Sequence, residues 1–171
     1  MVVLRATRKL LPLLPVLGPD SARSSTALGD WYVNRVFVDR RPLLLLISAA
    51  SLLPIVVPAR DVRGLPERLP GLVAARLGRL GIAPRTIDLE TRAMSPVNVA
   101  TTASRSVVGI MVDFAQCLPF YLGAGRWDEG MLLEAEDKLA ETPCFAGRAT
   151  SEVVFPERRA PELLHAKWEV S

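Results

Sequence analysis

Residues 31–57 read WYVNRVFVDRRPLLLLISAASLLPIVV, the densest run of β-branched, aromatic and aliphatic residues in the chain. Residues 31–38 alternate loosely, which is the period of a strand whose successive side chains point to opposite faces. Residues 43–47 are apolar without alternation, as expected for a central strand covered on both faces. Residues 52–57 predict a third strand, and Pro54 restricts it to a sheet edge or a bulge because proline cannot donate to a ladder. The stretch therefore predicts three short strands that form the nucleus of a sheet.

The same stretch has a competing interpretation as a membrane-spanning helix. Residues 42–59 carry no charge and are flanked by arginines. A segment of about 18 residues just reaches the lower limit for crossing a bilayer. Three prolines and two serines within it argue against such a helix. We therefore predict strands here, and no membrane partner.

The best-marked helix covers residues 105–118. A side-chain oxygen of Thr101, Thr102 or Ser104 can cap it, and Pro119 signals its end. Its wide apolar stripe should pack on the sheet. Gly109 in mid-helix costs about 1 kcal/mol against alanine, so we expect a packing reason such as close approach of a strand.

The other predicted elements follow from periodicity and from the placement of proline and glycine. They are a strand at 1–6, a helix from Pro66 to Leu80 ended by Gly81, a strand or irregular segment at 86–94, a short strand at 97–100, and helices at 131–141 and 162–167. Together they predict a single α+β domain spanning 1–171, with a small, mostly antiparallel sheet packed against two or three helices. A loop is expected at 18–29 and an irregular C-terminal tail from about 144.

The N-terminus resembles a targeting signal, with basic residues, an apolar run and then a serine-rich stretch. The apolar run is short and is broken by Pro12 and Pro15, so we expect no targeting segment and a cytoplasmic protein.

Charge is distributed unevenly along the chain. Residues 1–85 hold 13 Lys and Arg against 5 Asp and Glu, a balance of +8, while residues 86–171 hold 8 against 13, a balance of −5. The simpler explanation is that two halves of one fold complement each other. The functional explanation is a basic face on the N-terminal half that binds phosphate or an acidic partner.

The residue types that hold metals are scarce. Cys117 and Cys144 lie far apart without metal-type spacing, so we interpret them as buried reduced thiols, with a single disulfide left open. His165 is the one histidine, so no zinc site and no cofactor are expected.

Known catalytic motifs are missing from the sequence. No Gly-rich phosphate loop follows a strand, and no Gly-x-Ser-x-Gly elbow occurs. Neighbouring acids are expected to be solvated, as charges on a helix surface usually are. These pairs are Asp88/Glu90, Asp128/Glu129 and Glu136/Asp137.

One polar constellation joins the first hairpin to the long helix. It consists of Asp30, Tyr32, Asn34 and Arg35 with Ser104, Arg105 and Asp113. One interpretation is a buried hydrogen-bond network that fixes helix against sheet. The other is a cleft in which Arg105 holds an anionic group, with Asp113 and Asp30 as further catalytic candidates.

Four segments together resemble an uncharacterised bacterial family, one of the domains of unknown function. They read Arg5-Ala-Thr-Arg-Lys-Leu-Leu11, Leu28-Gly-Asp-Trp-Tyr32, Ser104-Arg-Ser-Val-Val-Gly-Ile-Met-Val-Asp113 and Leu139-Ala-Glu-Thr-Pro143. The third is also similar to the Arg-x-Val-x-Gly-x-Met-x-Asp stretch of plasmid-encoded Orf-3-like proteins of mobile elements. The resemblance covers most of the chain and implies no activity. Asn-Arg-Ser and Met-Asn-Asp of that pattern are Ser104-Arg-Ser and Met111-Val-Asp113 here, which puts any role of those asparagines in doubt.

Two functional hypotheses follow. The favoured one is a non-enzymatic binding module, an accessory of a mobile-element, toxin–antitoxin or defence system that contacts nucleic acid or an acidic protein. Its candidate binding residues are Arg60, Arg63, Arg68, Arg76, Arg79, Tyr32, Asn34 and Arg35. The alternative is a hydrolase or nuclease that uses the Arg/Asp cleft, which the scarcity of histidine makes less attractive. A homo-oligomer is compatible with both.

Overall fold

The computed structural model describes residues 1–15, 22–123, 127–145 and 152–169. Its strands are β1 (Val2–Ala6), β2 (Trp31–Val38), β3 (Arg41–Ser48), β4 (Pro54–Pro58), β5 (Val97–Thr101), β6 (Cys144–Phe145) and β7 (Val153–Val154). Its α-helices are α1 (Leu65–Arg79), α2 (Pro84–Ala93), α3 (Arg105–Leu122), α4 (Glu129–Ala140) and α5 (Pro156–Leu164), and the last continues as a π-helical turn, His165–Glu169. The predicted α+β class is confirmed.

The main sheet has five strands in the order β4-β3-β2-β1-β5. β2, β3 and β4 form an antiparallel meander, whereas β1 pairs in parallel with both β2 and β5. The three strands predicted within residues 31–57 are therefore confirmed. β3 lies between β2 and β4, and its residues Leu43–Ile47 are fully buried, which explains why that run does not alternate.

Helices cover both faces of this sheet. Leu44 and Leu46 of β3 point into one core with α1 and α5, whereas Leu43, Leu45 and Ile47 point into another with α3 and α4. The expectation that the long helix packs on the sheet is confirmed.

The outer edge of β4 offers few free donors. Ala59 N–H donates to Pro42 O, which fixes the register so that the backbone amides of residues 54, 56 and 58 face away from β3. Pro54 and Pro58 have no N–H, and Val56 N–H donates to Glu136 Oε1 at 2.8 Å. These residues close the edge to further strand pairing, as edge strands usually require. The edge position predicted from Pro54 is confirmed.

A buried charge network surrounds this edge. Glu136 of α4 and Arg76 of α1 are each 2% exposed, and Arg76 Nε lies 3.7 Å from Glu136 and donates to the Pro54 carbonyl at 3.1 Å. Arg79 bonds Glu136 as well, and it bonds Asp137 at 2.6 Å. Burial raises the pKa of Glu136, while the hydrogen bond from β4 and the two arginines oppose that rise. The network thus joins helices from opposite faces around the end of the sheet.

Three sequence predictions are wrong. Residues 86–93 belong to α2 and not to a strand, and the helix was missed because its buried positions, Thr86 and Glu90, are polar. α3 continues through Pro119 to Leu122. A Cβ added at Gly109 would meet nothing within 4 Å, so no strand approaches this glycine.

The remaining expectations concern the chain ends and the membrane. Residues 42–59 contain most of β3, a turn and β4, and no helix in the described residues is long and apolar enough to cross a bilayer. The tail beyond 144 is less irregular than predicted, since β6 pairs with β7 and α5 follows. The predicted loop at 18–29 lies partly outside the described residues, and residues 22–30 are irregular.

We predict that Glu136→Ala destabilises the protein by about 3–5 kcal/mol, because the Val56 N–H loses its acceptor and the buried Arg76 keeps the half-exposed Asp137, at 3.4 Å, in place of a buried carboxylate. Glu134→Ala is the matched control: Glu134 is an exposed acid of the same helix outside this network, and the loss should stay within about 1 kcal/mol. Urea unfolding of both variants and the wild type measures the difference. Equal midpoints for the two variants would contradict a buried network at this edge.

Candidate functional site

The polar side chains of Asp30, which precedes β2, and of Asn34 within β2 form separate hydrogen bonds. Asp30 accepts from Arg5 Nε and from Ser24 Oγ, both at 2.6 Å. Asn34 Oδ1 accepts from Thr7 Oγ1 at 2.9 Å, which ties β2 to the chain that follows β1. These contacts orient backbone segments and leave no common cleft.

Besides apolar packing, one side-chain hydrogen bond links β2 to the N-terminus of the long helix in the described residues. Tyr32 Oη accepts from the backbone N–H of Ser104 at 2.9 Å, and the Ser104 side chain caps α3 by accepting from Val107 N–H. Arg35 is exposed on β2, and its guanidinium lies 5.6 Å from the centre of the Phe37 ring. Of the constellation, the structure therefore brings only Tyr32 and Ser104 together.

The three catalytic candidates do not converge. Arg105 lines an open depression of about 530 Å³ together with Arg8 and three hydroxyl-bearing residues. Asp113 lies eight residues further along α3, about 12 Å at 1.5 Å per residue, and lines a smaller depression of about 140 Å³. Asp30 is held by Arg5. The described lining of the larger depression can hold an anion but contains no carboxylate to act as a general base.

The candidate arginines between residues 60 and 79 fall into two groups. Arg76 and Arg79 are engaged with α4, so they do not share one exposed face with the others. Arg60 is 77% exposed and Arg63 is also exposed. Arg68 is half-buried, and its Nη2 donates to two backbone carbonyls at 2.8 and 3.0 Å.

A groove runs along the outer side of β4, and we call it the β4 groove. It consists of two depressions of about 290 and 210 Å³ that share Pro58 and Arg60. Its cationic side chains are Arg40, Arg41, Arg60 and Arg68, and its apolar ones include Val57, Pro58, Leu72 and Leu133. Glu129 is the acidic residue in its described lining.

Local geometry explains how two of these cations reach the groove. Asp39 and Arg40 both have positive φ, as the tight turn between β2 and β3 requires, and Arg40 is exposed there. The Arg41 guanidinium lies 3.6 Å from the centre of the Trp127 ring and donates to the Trp127 carbonyl at 3.0 Å. Arg41 therefore fixes the segment that leads into α4.

Sequence reasoning missed several residues that shape this region. Arg40, Arg41 and Trp127 were not among the candidates, although the adjacent arginines in a predicted hairpin turn were a usable signal. Glu90 and Glu136 were expected to be solvated and are buried instead. Glu90 accepts from the backbone N–H groups of residues 27 and 28 and from an indole N–H near the C-terminus.

Both cysteines are free thiols. Cys117 is half-buried, whereas Cys144 is buried and lies in the small depression beside Asp113. Burial, with a smaller contribution from the Asp113 charge, raises the pKa of the Cys144 thiol to about 11. No group of three or more His, Cys, Asp or Glu that could hold a metal occurs in the described part of the chain.

These features define an α+β domain with a closed sheet edge and a groove beside it. The chain belongs to the family described as Domain of unknown function (DUF6933), whose model matches residues 3–159. The expected membership of an uncharacterised domain family is thereby confirmed. Comparisons with curated proteins and with solved structures found no match.

We predict that Cys117 reacts with a thiol reagent at pH 8 and that Cys144 does not until the protein unfolds. Only the thiolate reacts, and Cys144 is both buried and protonated well above that pH. Reaction with a chromogenic disulfide in native buffer and in denaturant measures both thiols, and Cys117→Ser assigns the fast one. Rapid modification of Cys117→Ser in native buffer would contradict the burial of Cys144.

Proposed function

We propose that the chain is a non-enzymatic binding module whose β4 groove receives an acidic segment of a partner protein. The observation that carries the proposal is the combination of four arginines with an apolar floor in one open groove. Arginine is enriched among the residues that contribute most binding energy at protein interfaces, and the buried centre of an interface is apolar.

Arg40 and Arg60 are the exposed cations of the groove. Arg60 contacts Glu129 at 3.9 Å, and the two side chains are 77% and 75% exposed. Exposed ion pairs of this kind contribute about 0–1 kcal/mol, so a partner carboxylate can displace Glu129 at little cost. Arginine also accepts a carboxylate bidentately, which favours an acidic ligand over a merely polar one.

The apolar floor favours protein over nucleic acid. Leu133 is 45% exposed, and it lines the groove together with Leu72 and Val57. A phosphate backbone is bound mainly by charge and does not need such a floor, whereas a peptide anchors apolar side chains there. Because the outward donors of β4 are removed or bonded, the ligand binds through side chains and not as an added strand.

We extend this proposal to the wider cellular role expected from the sequence. An accessory of a mobile-element, toxin–antitoxin or defence system, acting in the cytoplasm, would need such a partner-binding groove. The similarity to Orf-3-like proteins supports that context as a resemblance only. The hydrolase or nuclease alternative has less support, because Arg105, Asp113 and Asp30 lie at separate places.

We predict that selection from a random peptide display library enriches sequences in which Asp or Glu flank Leu or Phe. The enriched peptides should bind Arg60→Glu about tenfold more weakly, about 1.4 kcal/mol, because a rim charge is reversed. Arg92→Glu on α2 is the matched control, since Arg92 is equally exposed and lies away from the groove. Enrichment without acidic residues, or equal losses in both variants, would refute the proposal. Binding of single-stranded oligonucleotides that is lost in Arg60→Glu would indicate nucleic acid instead.

We further predict that Glu129→Gln strengthens binding of the same peptides several-fold. The substitution removes the one described carboxylate of the groove and frees Arg60. Isothermal titration at two salt concentrations measures the gain, which should shrink at high salt because exposed charges are screened. An unchanged affinity would place the acidic ligand elsewhere.

A further inference from the structure

A row of three exposed residues runs along α3. Arg105, Gly109 and Asp113 follow one another at steps of four, which places them on one side of the helix. The row lies away from the buried face that packs on the sheet, which contains Val107 and Phe114.

No contact among the described residues accounts for the glycine in this row. Gly109 is helical, and a Cβ added to it would meet no atom within 4 Å. Glycine is a poor helix former, so alanine would suit an isolated helix better at this position. A surface glycine does allow the backbone of another element to approach the helix closely.

The charges on either side of the glycine also lack partners. In the part of the chain that the structure describes, neither Arg105 nor Asp113 forms an ion pair or a hydrogen bond. They have opposite signs and lie one turn before and one turn after Gly109. Val112 is apolar and 49% exposed beside them.

The surface formed by Arg105, Gly109 and Asp113 is self-complementary. When two copies of α3 pack antiparallel about a two-fold axis at Gly109, each Arg105 faces the partner's Asp113. The glycines then meet at the closest approach, and each Val112 covers the neighbouring backbone. An isologous interface requires such a surface, in which residue i contacts j and j contacts i.

We propose that this face of α3 binds a second copy of the chain and forms an antiparallel helix pair centred on Gly109. The order of the charges along the helix favours a second copy of the chain as the partner. A different partner would need its own matching charges, whereas the row Arg105-Gly109-Asp113 supplies both halves of two ion pairs by itself. This interface is independent of the β4 groove.

The test is a charge exchange measured by sedimentation equilibrium. Arg105→Asp and Asp113→Arg each place like charges opposite one another, and each should weaken self-association at least about tenfold. The double variant Arg105→Asp/Asp113→Arg should restore it. An equimolar mixture of the two single variants should associate as a heterodimer, because their charges complement each other. Arg92→Asp, an exposed charge reversal on α2, should change nothing.

A second variant removes the close approach without affecting the fold. The Cβ of a leucine at position 109 would meet no described atom within 4 Å, and leucine is a better helix former than glycine, so the melting temperature of Gly109→Leu should not fall. The substitution should nevertheless abolish self-association, because the added side chain separates the helices. A wild type that sediments as a monomer up to its solubility limit would overturn the proposal. So would dimers of undiminished affinity in both single variants, or single variants that fail to associate with each other.

Discussion

The way in which β4 ends the sheet constrains the rest of the structure. An edge strand presents unpaired donors and acceptors, and here two prolines remove outward donors while Glu136 accepts the remaining one. A buried carboxylate needs a compensating charge, which Arg76 supplies from the opposite face. α4 and α1 must therefore both reach the same edge, and their positions on the two faces of the sheet become coupled. Desolvation of both charges opposes the gain from pairing them, so the buried pair fixes where the helices meet without requiring a large net gain in stability.

The same network decides which arginines remain for function. Arg76 and Arg79 belong to one basic helix in the sequence, yet both are directed toward carboxylates of α4. The cations left at this side of the molecule come from the β2–β3 turn and from the connection to α1. They surround a floor formed by side chains of β4, α1 and α4, so the groove is built on elements that the buried network holds in place. A groove on rigid elements loses little conformational entropy when it binds a ligand.

The sequence was informative where one periodicity or one residue type dominates. The apolar run of residues 43–47 requires two covered faces, and Pro54 requires an edge, so both strands were predictable. α2 was not, because its buried residues Thr86 and Glu90 are polar and carry no apolar stripe. The buried network and the groove beside it were not predictable for a related reason. Glu136 meets Val56 across 80 positions of the chain, and no local pattern shows that an acid on a helix surface will find a strand there.

The β4 groove and the row of residues on α3 lie at different parts of the molecule, so a dimer formed through α3 can bind a ligand more tightly than one chain does. α3 packs over β2 and β3, whereas the groove lies beyond β4. A pair formed through α3 would leave both grooves open, so one assembly would present two of them. Exposed charge pairs and a shallow apolar floor give weak single contacts. Two linked contacts can raise the overall affinity by about 10²–10⁴ when the ligand spans both sites. A partner with repeated acidic segments would therefore gain far more from the dimer than one with a single segment.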